Sequence, residues 1–80
     1  MKIPNSRGVK DIVDYIRKSQ DTSSVDTLSR KIDADDIDFT NHEASLLVAV
    51  LETYCFIGTN VGDIITCRMY INYIKDMLHG

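Results

Sequence analysis

Four aspartates close together near the middle of the chain are the densest group of side chains with chemical potential. They are Asp33, Asp35, Asp36 and Asp38. Alternating carboxylates begin EF-hand calcium loops, but counted from Asp33 the glycine of the sharp turn and the final bidentate glutamate are both missing. We therefore expect no metal here, and interpret the segment as a solvated acidic connection that caps helices and helps to bind a charged partner.

Two cysteines and two histidines are the other candidates for reactive chemistry. Cys55 and Cys67 lack Cys-x-x-Cys spacing and lie in apolar segments, which predicts reduced, buried and inert thiols. His42 adjoins Glu43, and His79 lies near the C-terminus, without a His-x-x-x-His pair, a nucleophile elbow or a glycine-rich phosphate loop. The sequence thus predicts a protein that is not an enzyme and uses no cofactor.

The clearest structural element is a predicted third helix that begins with a capping box. Thr40 and Glu43 have the Thr-x-x-Glu spacing in which each side chain binds the other residue's free backbone N–H group. Of the 14 residues from 44 to 57, 11 are apolar, which predicts a helix covered on most sides. Gly58 then stands where a left-handed C-terminal cap would end the helix.

A fourth helix is predicted over residues 61–78, capped by Asn60 or Thr59, so that the second half of the chain forms an antiparallel helical hairpin. Cys55 and Cys67 are nearly equidistant from its turn and should lie close together. The fourth helix is apolar over more than one face. The residues beyond its core stripe are Met69, Tyr70, Tyr73 and Met77. They are either additional core or a surface that binds a partner or a second copy.

Two shorter amphipathic helices precede the hairpin. Apolar residues at spacings of three and four predict a helix over residues 7–19, with Ser6 as its N-cap, and another over residues 23–32. A polar connection, residues 20–24, separates them. Four hydroxyl residues are interpreted as caps or solvent-facing positions: Ser23, Ser24, Thr27 and Ser29. The fold class predicted for residues 1–80 is an all-α, single four-helix domain.

Composition and charge narrow the function classes. The chain is 44% hydrophobic and 26% charged, which fits a small folded domain. Residues 1–20 carry a net charge of +3 and residues 21–43 carry −5, within a total of −3. This balance disfavours nucleic acid as a partner and favours electrostatic steering of a charged protein. Without an apolar targeting or membrane-spanning segment, we expect the protein to be cytoplasmic.

The first half of the chain also fits a helix-turn-helix, in which the second helix would offer Thr27, Arg30 and Lys31 to DNA bases. The same region resembles the Hha/YmoA family, small helical modulators of the nucleoid protein H-NS. The resemblance covers residues 12–45. Its matching segments are Ile16-Arg-Lys-Ser-Gln20, Val25-Asp-Thr-Leu-Ser-Arg-Lys-Ile32 and Phe39-Thr-Asn-His-Glu43.

The resemblance implies a helical regulator that binds an H-NS-like protein. The chain departs from the family in the third helix, where apolar residues 46–57 replace the family's Asp-His-Arg-containing segment, and at the turn containing Gly58. From the residues themselves we predict a protein that acts by binding another protein. The alternatives are a phage- or plasmid-encoded inhibitor of a host enzyme or defence complex, and a helix-turn-helix or Hha-like modulator of transcription.

Overall fold

The computed structural model describes residues 1–19 and 23–79, and within them most of the chain is helical. A short 3-10 helix, Ser6–Val9, precedes four α-helices. The α-helices are α1 (Lys10–Ser19), α2 (Ser23–Asp33), α3 (Asn41–Ile57) and α4 (Val61–His79). The all-α fold class and all four predicted helices are confirmed. Most of the predicted polar connection, residues 20–22, lies outside the described residues.

The core lies where apolar side chains of the four α-helices meet. α1 and α2 each bury one stripe, as their periodicity predicts, whereas α3 packs against α1, α2 and α4 and is therefore buried on more sides. The helical residues at the centre of the core include Ile12, Val13 and Ile16 of α1, Leu28 and Ile32 of α2, Leu47 and Leu51 of α3, and Cys67 and Ile74 of α4.

The N-terminal segment differs from the prediction that Ser6 caps the first helix. Ser6 is buried and begins the 3-10 helix instead. Ahead of it, the Ile3 N–H donates to the Ile37 carbonyl at 2.8 Å, and the Phe39 N–H donates to the Met1 carbonyl at 2.7 Å. This short antiparallel pairing brings Ile3 and Phe39 into the core, where both are almost fully buried.

α3 begins as predicted and ends differently. The Glu43 N–H donates to the Thr40 hydroxyl at 3.1 Å and the Thr40 N–H donates to the Glu43 carboxylate at 2.8 Å, which confirms the capping box. The prediction of a left-handed cap at Gly58 is wrong, because its φ of −72° and ψ of 150° are extended. The chain leaves the helix there in an extended conformation that leads directly into α4.

α3 and α4 form the antiparallel hairpin. The Tyr54 hydroxyl lies 3.2 Å from the Asp63 carboxylate, and Glu52, two residues earlier, pairs with Lys75 far along α4. Contacts that move back along α3 as they advance along α4 define antiparallel helices. The Asp63 N–H donates to the Asn60 side chain at 3.1 Å, so Asn60 is the cap of α4.

Among the described residues, none of the helices combines the length and the apolar character that a bilayer crossing requires.

Candidate functional site

The outer side of α4 exposes a line of apolar side chains. We call this line the α4 ridge; its residues are Val61, Ile65, Met69, Tyr73 and Met77. Each of the five is between 41% and 69% exposed. Their constant spacing of four residues places them one above the next along the helix, over about 24 Å on an ideal helix. Rows with this spacing are the ridges that pack into grooves of a neighbouring helix.

The predicted interface residues of α4 divide into two groups. Met69, Tyr73 and Met77 lie on the ridge and are exposed, so they are not part of the core. Tyr70 is half-buried, and its hydroxyl donates to the Asn5 carbonyl at 2.5 Å, which ties α4 to the N-terminal segment. Burial also raises the pKa of Tyr70. That these four residues of α4 bind a partner stays a prediction.

A surface depression adjoins the ridge. It has a volume of about 280 Å³ and is lined by Pro4, Met69, Tyr70 and Tyr73. The lining is almost wholly apolar, and two aromatic rings form part of it. Such a depression can receive an apolar side chain of a partner that packs along α4.

The end of α3 adds exposed apolar surface that the sequence analysis missed. Phe56 is 92% exposed and Ile57 is 42% exposed, and we call these two residues the hairpin tip. The apolar run of residues 44–57 predicted a helix covered on most sides, including at this end. A signal was present, because residues 53–62 contain no charge between Glu52 and Asp63, so this stretch has neither the polar face of a surface helix nor enough neighbours to cover it.

A second row of side chains runs beside the α4 ridge. We call it the polar row; it consists of Arg68, Asn72 and Asp76, all exposed and also four residues apart. The side chains of Arg68 and Asp76 form no ion pair or hydrogen bond with any described residue. The other charged side chains of α4 have partners, since Lys75 pairs with Glu52 and Asp63 is bound by Tyr54.

The four aspartates of the acidic connection are each paired within the chain. Asp33 contacts Lys10, Asp35 lies 3.4 Å from Arg7, Asp36 lies 3.1 Å from Lys31, and Asp38 lies 3.6 Å from the Met1 amino group. The Asp38 backbone N–H, and then Lys31, hold the pKa of Asp36 below its ordinary value.

These pairs reduce the charge separation that the sequence suggested, because basic and acidic segments face each other. That the aspartates also bind a partner stays a prediction. No group of three or more His, Cys, Asp or Glu side chains within residues 1–19 and 23–79 is arranged to hold a metal ion.

The residues proposed for DNA reading in α2 are mostly engaged elsewhere. Lys31 is only 16% exposed and lies between Asp36 and Glu43, 5.3 Å from the centre of the Phe39 ring. Arg30 is exposed but pairs with Asp26 at 3.0 Å. Thr27 is exposed, and its hydroxyl donates to the backbone one turn earlier. An Arg or Lys that is already paired with carboxylates offers less to phosphates or bases.

The prediction for one of the hydroxyl residues of α2 is wrong. Ser29 was interpreted as a cap or solvent-facing position, but it is 1% exposed and faces α1. It contacts Asp14 and Arg17 there, so its burial is compensated by hydrogen bonds. The Cys55 thiol lies 4.0 Å from the Ile64 carbonyl of α4 and contributes to the raised pKa of Cys67, which agrees with the predicted proximity of the two cysteines across the hairpin. The prediction that both thiols are buried holds for Cys67 alone, because Cys55 is half-buried.

Comparison with known proteins adds no relative. A scan of protein-family models and searches of curated proteins and of solved structures find nothing that matches this chain. The resemblance to the Hha/YmoA family therefore stays a prediction.

Proposed function

We propose that this protein acts in the cytoplasm by binding another protein through the α4 ridge and the hairpin tip, and that it catalyses no reaction. The observation that carries the proposal is the placement of exposed apolar side chains. Seven of the nine large hydrophobic residues exposed within the described chain lie on the α3–α4 hairpin, and five of them form the ridge. Concentrated apolar surface of this kind is typical of interaction sites.

The residue types support the proposal. Tyrosine, phenylalanine and methionine are enriched at the centres of protein interfaces, because they bury a large area and adapt to a partner's shape. Tyr73, Phe56 and Met69 are such residues, and all three are exposed. The ridge also lies on a regular helix, so its side chains are presented at fixed spacing and lose little backbone freedom on binding.

Regulation or inhibition of the bound protein is the biochemical outcome that we propose. A helix face of about 24 Å can cover a comparable length of a partner's surface and block what that surface does. Direct reading of DNA by α2 has less support, because Lys31 and Arg30 are held by carboxylates of this chain.

Photo-crosslinking in the native cell tests the proposal. A benzophenone amino acid would replace Tyr73 on the ridge, and, as a matched control, Ser45, which is exposed on α3 outside the ridge. We expect discrete crosslinked products from position 73 and few or none from position 45. Met69→Glu in the same chain should reduce the yield from position 73 at least about tenfold, which is what a loss of roughly 1.4 kcal/mol in binding causes. Equal labelling from positions 73 and 45 would refute the proposal.

A further inference from the structure

The side chains beside the α4 ridge identify the chemistry of its partner. We propose that the ridge binds a second copy of this chain, with the two α4 helices antiparallel about a two-fold axis near residues 71–72. This inference rests on the proposed function, because it assigns an occupant to that same protein-binding surface. A ridge covered by the second copy is closed to another protein, so dimerisation competes with the binding of any protein that this chain regulates. It commits to one partner and one orientation, both of which can be measured.

The charge order of the polar row fits this antiparallel arrangement. Along α4 the row is positive at Arg68, uncharged at Asn72 and negative at Asp76, with one helical turn between neighbours. A two-fold axis across α4 at the level of Asn72 places Arg68 of one copy opposite Asp76 of the other. The same axis brings the two Asn72 amides together, and each amide can both donate and accept hydrogen bonds.

The charges of Arg68 and Asp76 are both available to a second copy. Neither the Arg68 nor the Asp76 side chain has an ion-pair partner among the described residues, whereas the nearby Lys75 is already paired with Glu52 at 3.8 Å. A parallel arrangement would place the same charges side by side in like pairs, which repel. The polar row therefore favours the antiparallel orientation, in which both of its charges gain a partner.

The register of the ridge fits the same arrangement. The same axis, between residues 71 and 72, brings Met69 close to Tyr73 and Ile65 close to Met77 of the other copy. Four of the five ridge residues thus meet an apolar residue, and Val61 lies beyond the contact. Thioether and aromatic side chains attract each other at such contacts. Two i, i+4 ridges that interdigitate cross at about 50°, which is the commonest geometry of packed helices.

The area that two α4 helices can bury sets the expected strength of the dimer. A standard interface covers about 800 Å² on each partner, which would be about a sixth of this chain's 4953 Å² of surface. Helices that cross at about 50° diverge after a few turns, so this contact lies at or below that size. We expect a weak dimer, with a Kd on the order of 10 to 100 µM.

Sedimentation equilibrium from about 5 to 500 µM, a range spanning that Kd, tests the inference. We expect the wild-type chain to dimerise. Arg68→Glu and Asp76→Arg should each weaken dimerisation about tenfold, because each creates a like-charge contact at both symmetry-related sites. The double variant R68E/D76R exchanges the charges and should return the Kd to within about threefold of the wild-type value. Ser45→Glu, with its added charge outside the ridge, should change nothing.

Met69→Glu and the uncharged Met69→Gln should both reduce dimerisation, and a circular dichroism melt checks that each variant is folded. A wild-type chain that stays monomeric at about 500 µM overturns the inference. A double variant R68E/D76R that dimerises no more tightly than the single variants also overturns it. If the benzophenone at position 73 still captures a different protein while the wild-type chain is monomeric, the proposed function survives and the second copy is not its partner. If neither crosslinks nor dimers form, both the proposed function and the binding of a second copy are refuted.

Discussion

The Ser29 hydroxyl donates a 2.8 Å hydrogen bond to the Asp14 carboxylate, which joins α2 to α1. Arg17 lies 3.4 Å from the same hydroxyl, and Lys10 lies 3.2 Å from the other oxygen of Asp14. The bond from Ser29 is the largest cause of the lowered pKa of Asp14, and Lys10 and Arg17 contribute further. Beside the more exposed ion pairs of Lys10 with Asp33 and of Arg17 with Asp26, the contact between α1 and α2 thus contains a polar link from the buried Ser29, whose strength depends on the charge of Asp14.

Ser29→Ala tests this link. At pH 7 we expect the free energy of unfolding, measured in urea, to fall by about 1 kcal/mol, because the Asp14 carboxylate loses a buried donor.

The pKa of Asp14 is lowered in the folded state, so the ionised Asp14 stabilises the fold. This contribution to stability is complete above the ordinary pKa of 3.8 and is lost as the pH falls through the folded pKa. Without Ser29 the folded pKa rises towards the ordinary value. The difference in the free energy of unfolding between wild type and Ser29→Ala should therefore become smaller from pH 7 to pH 3. Ser45→Ala should differ from wild type at neither pH. A difference that is constant with pH would contradict this account.

The buried thiol of Cys67 leads to a prediction about reactivity. Cys67 has no exposed surface, and burial, followed by the neighbouring Cys55 thiol, raises its pKa to about 12. At pH 8 only about one such thiol in ten thousand is the reactive thiolate. We expect an alkylating reagent to label Cys67 orders of magnitude more slowly in the folded protein than in urea. Cys55, which is half-buried, should react sooner.

Cys67→Ser should destabilise the domain by about 1–3 kcal/mol, because a buried hydroxyl replaces an apolar thiol. Cys55→Ser, at the half-buried position, is the matched comparison and should lower the free energy of unfolding by a smaller amount. Native labelling of Cys67 at the rate seen in urea would show that the hairpin opens, or is packed differently in solution.

Local sequence signals predicted much of the fold. The stripes of α1 and α2, the Thr40–Glu43 capping box and the Asn60 cap are each set by residues within one or two helical turns, so spacing alone reveals them. Residues 1–9 could not be placed in this way. The burial of Ile3 depends on pairing with residues 37–39, which are distant in sequence, and periodicity carries no information about such a contact.

The candidate site was only partly predictable for the same reason. Met69, Tyr73 and Met77 could be recognised as surplus apolar residues on α4, but whether a neighbouring element covers them is a tertiary question. Phe56 was missed because an apolar helix end is indistinguishable from a core segment until its neighbours are known. Likewise, the net charges of the first and middle segments gave no sign that Arg7 and Asp35 would pair with each other.

The capping box is expected to contribute measurably to stability. Thr40→Ala removes the acceptor of the Glu43 N–H and should lower the free energy of unfolding by about 1 kcal/mol. The Thr40 backbone N–H is the largest cause of the lowered pKa of Glu43, so Glu43→Gln should also destabilise the protein, and mainly above the ordinary pKa of that carboxyl. Thermal unfolding at pH 7 and near pH 3 measures both effects. Ser45→Ala, on the exposed face of the same helix, is the control, and a Thr40→Ala variant as stable as this control would show that the box is dispensable.

The turn of the hairpin makes the sharpest prediction, because two glycines near it differ in what surrounds them. At Gly58 a Cβ atom would lie 2.6 Å from the Tyr54 ring and 2.7 Å from the Tyr54 carbonyl oxygen. That carbonyl accepts the hydrogen bond that ends α3, and the ring contacts Tyr15 edge to face while its hydroxyl binds Asp63. The backbone angles of Gly58 are open to any residue, so the cost of Gly58→Ala comes from this clash alone. We expect the free energy of unfolding, measured in urea, to fall by about 1–3 kcal/mol.

At Gly62, in the first turn of α4, the atom nearest to an added Cβ would be the Asn60 side-chain oxygen at 3.3 Å. Gly62→Ala should therefore be neutral or stabilise the protein by up to about 1 kcal/mol, through the better helix propensity of alanine. If both variants lose the same stability, the close packing of Tyr54 on the turn is not what requires glycine at position 58.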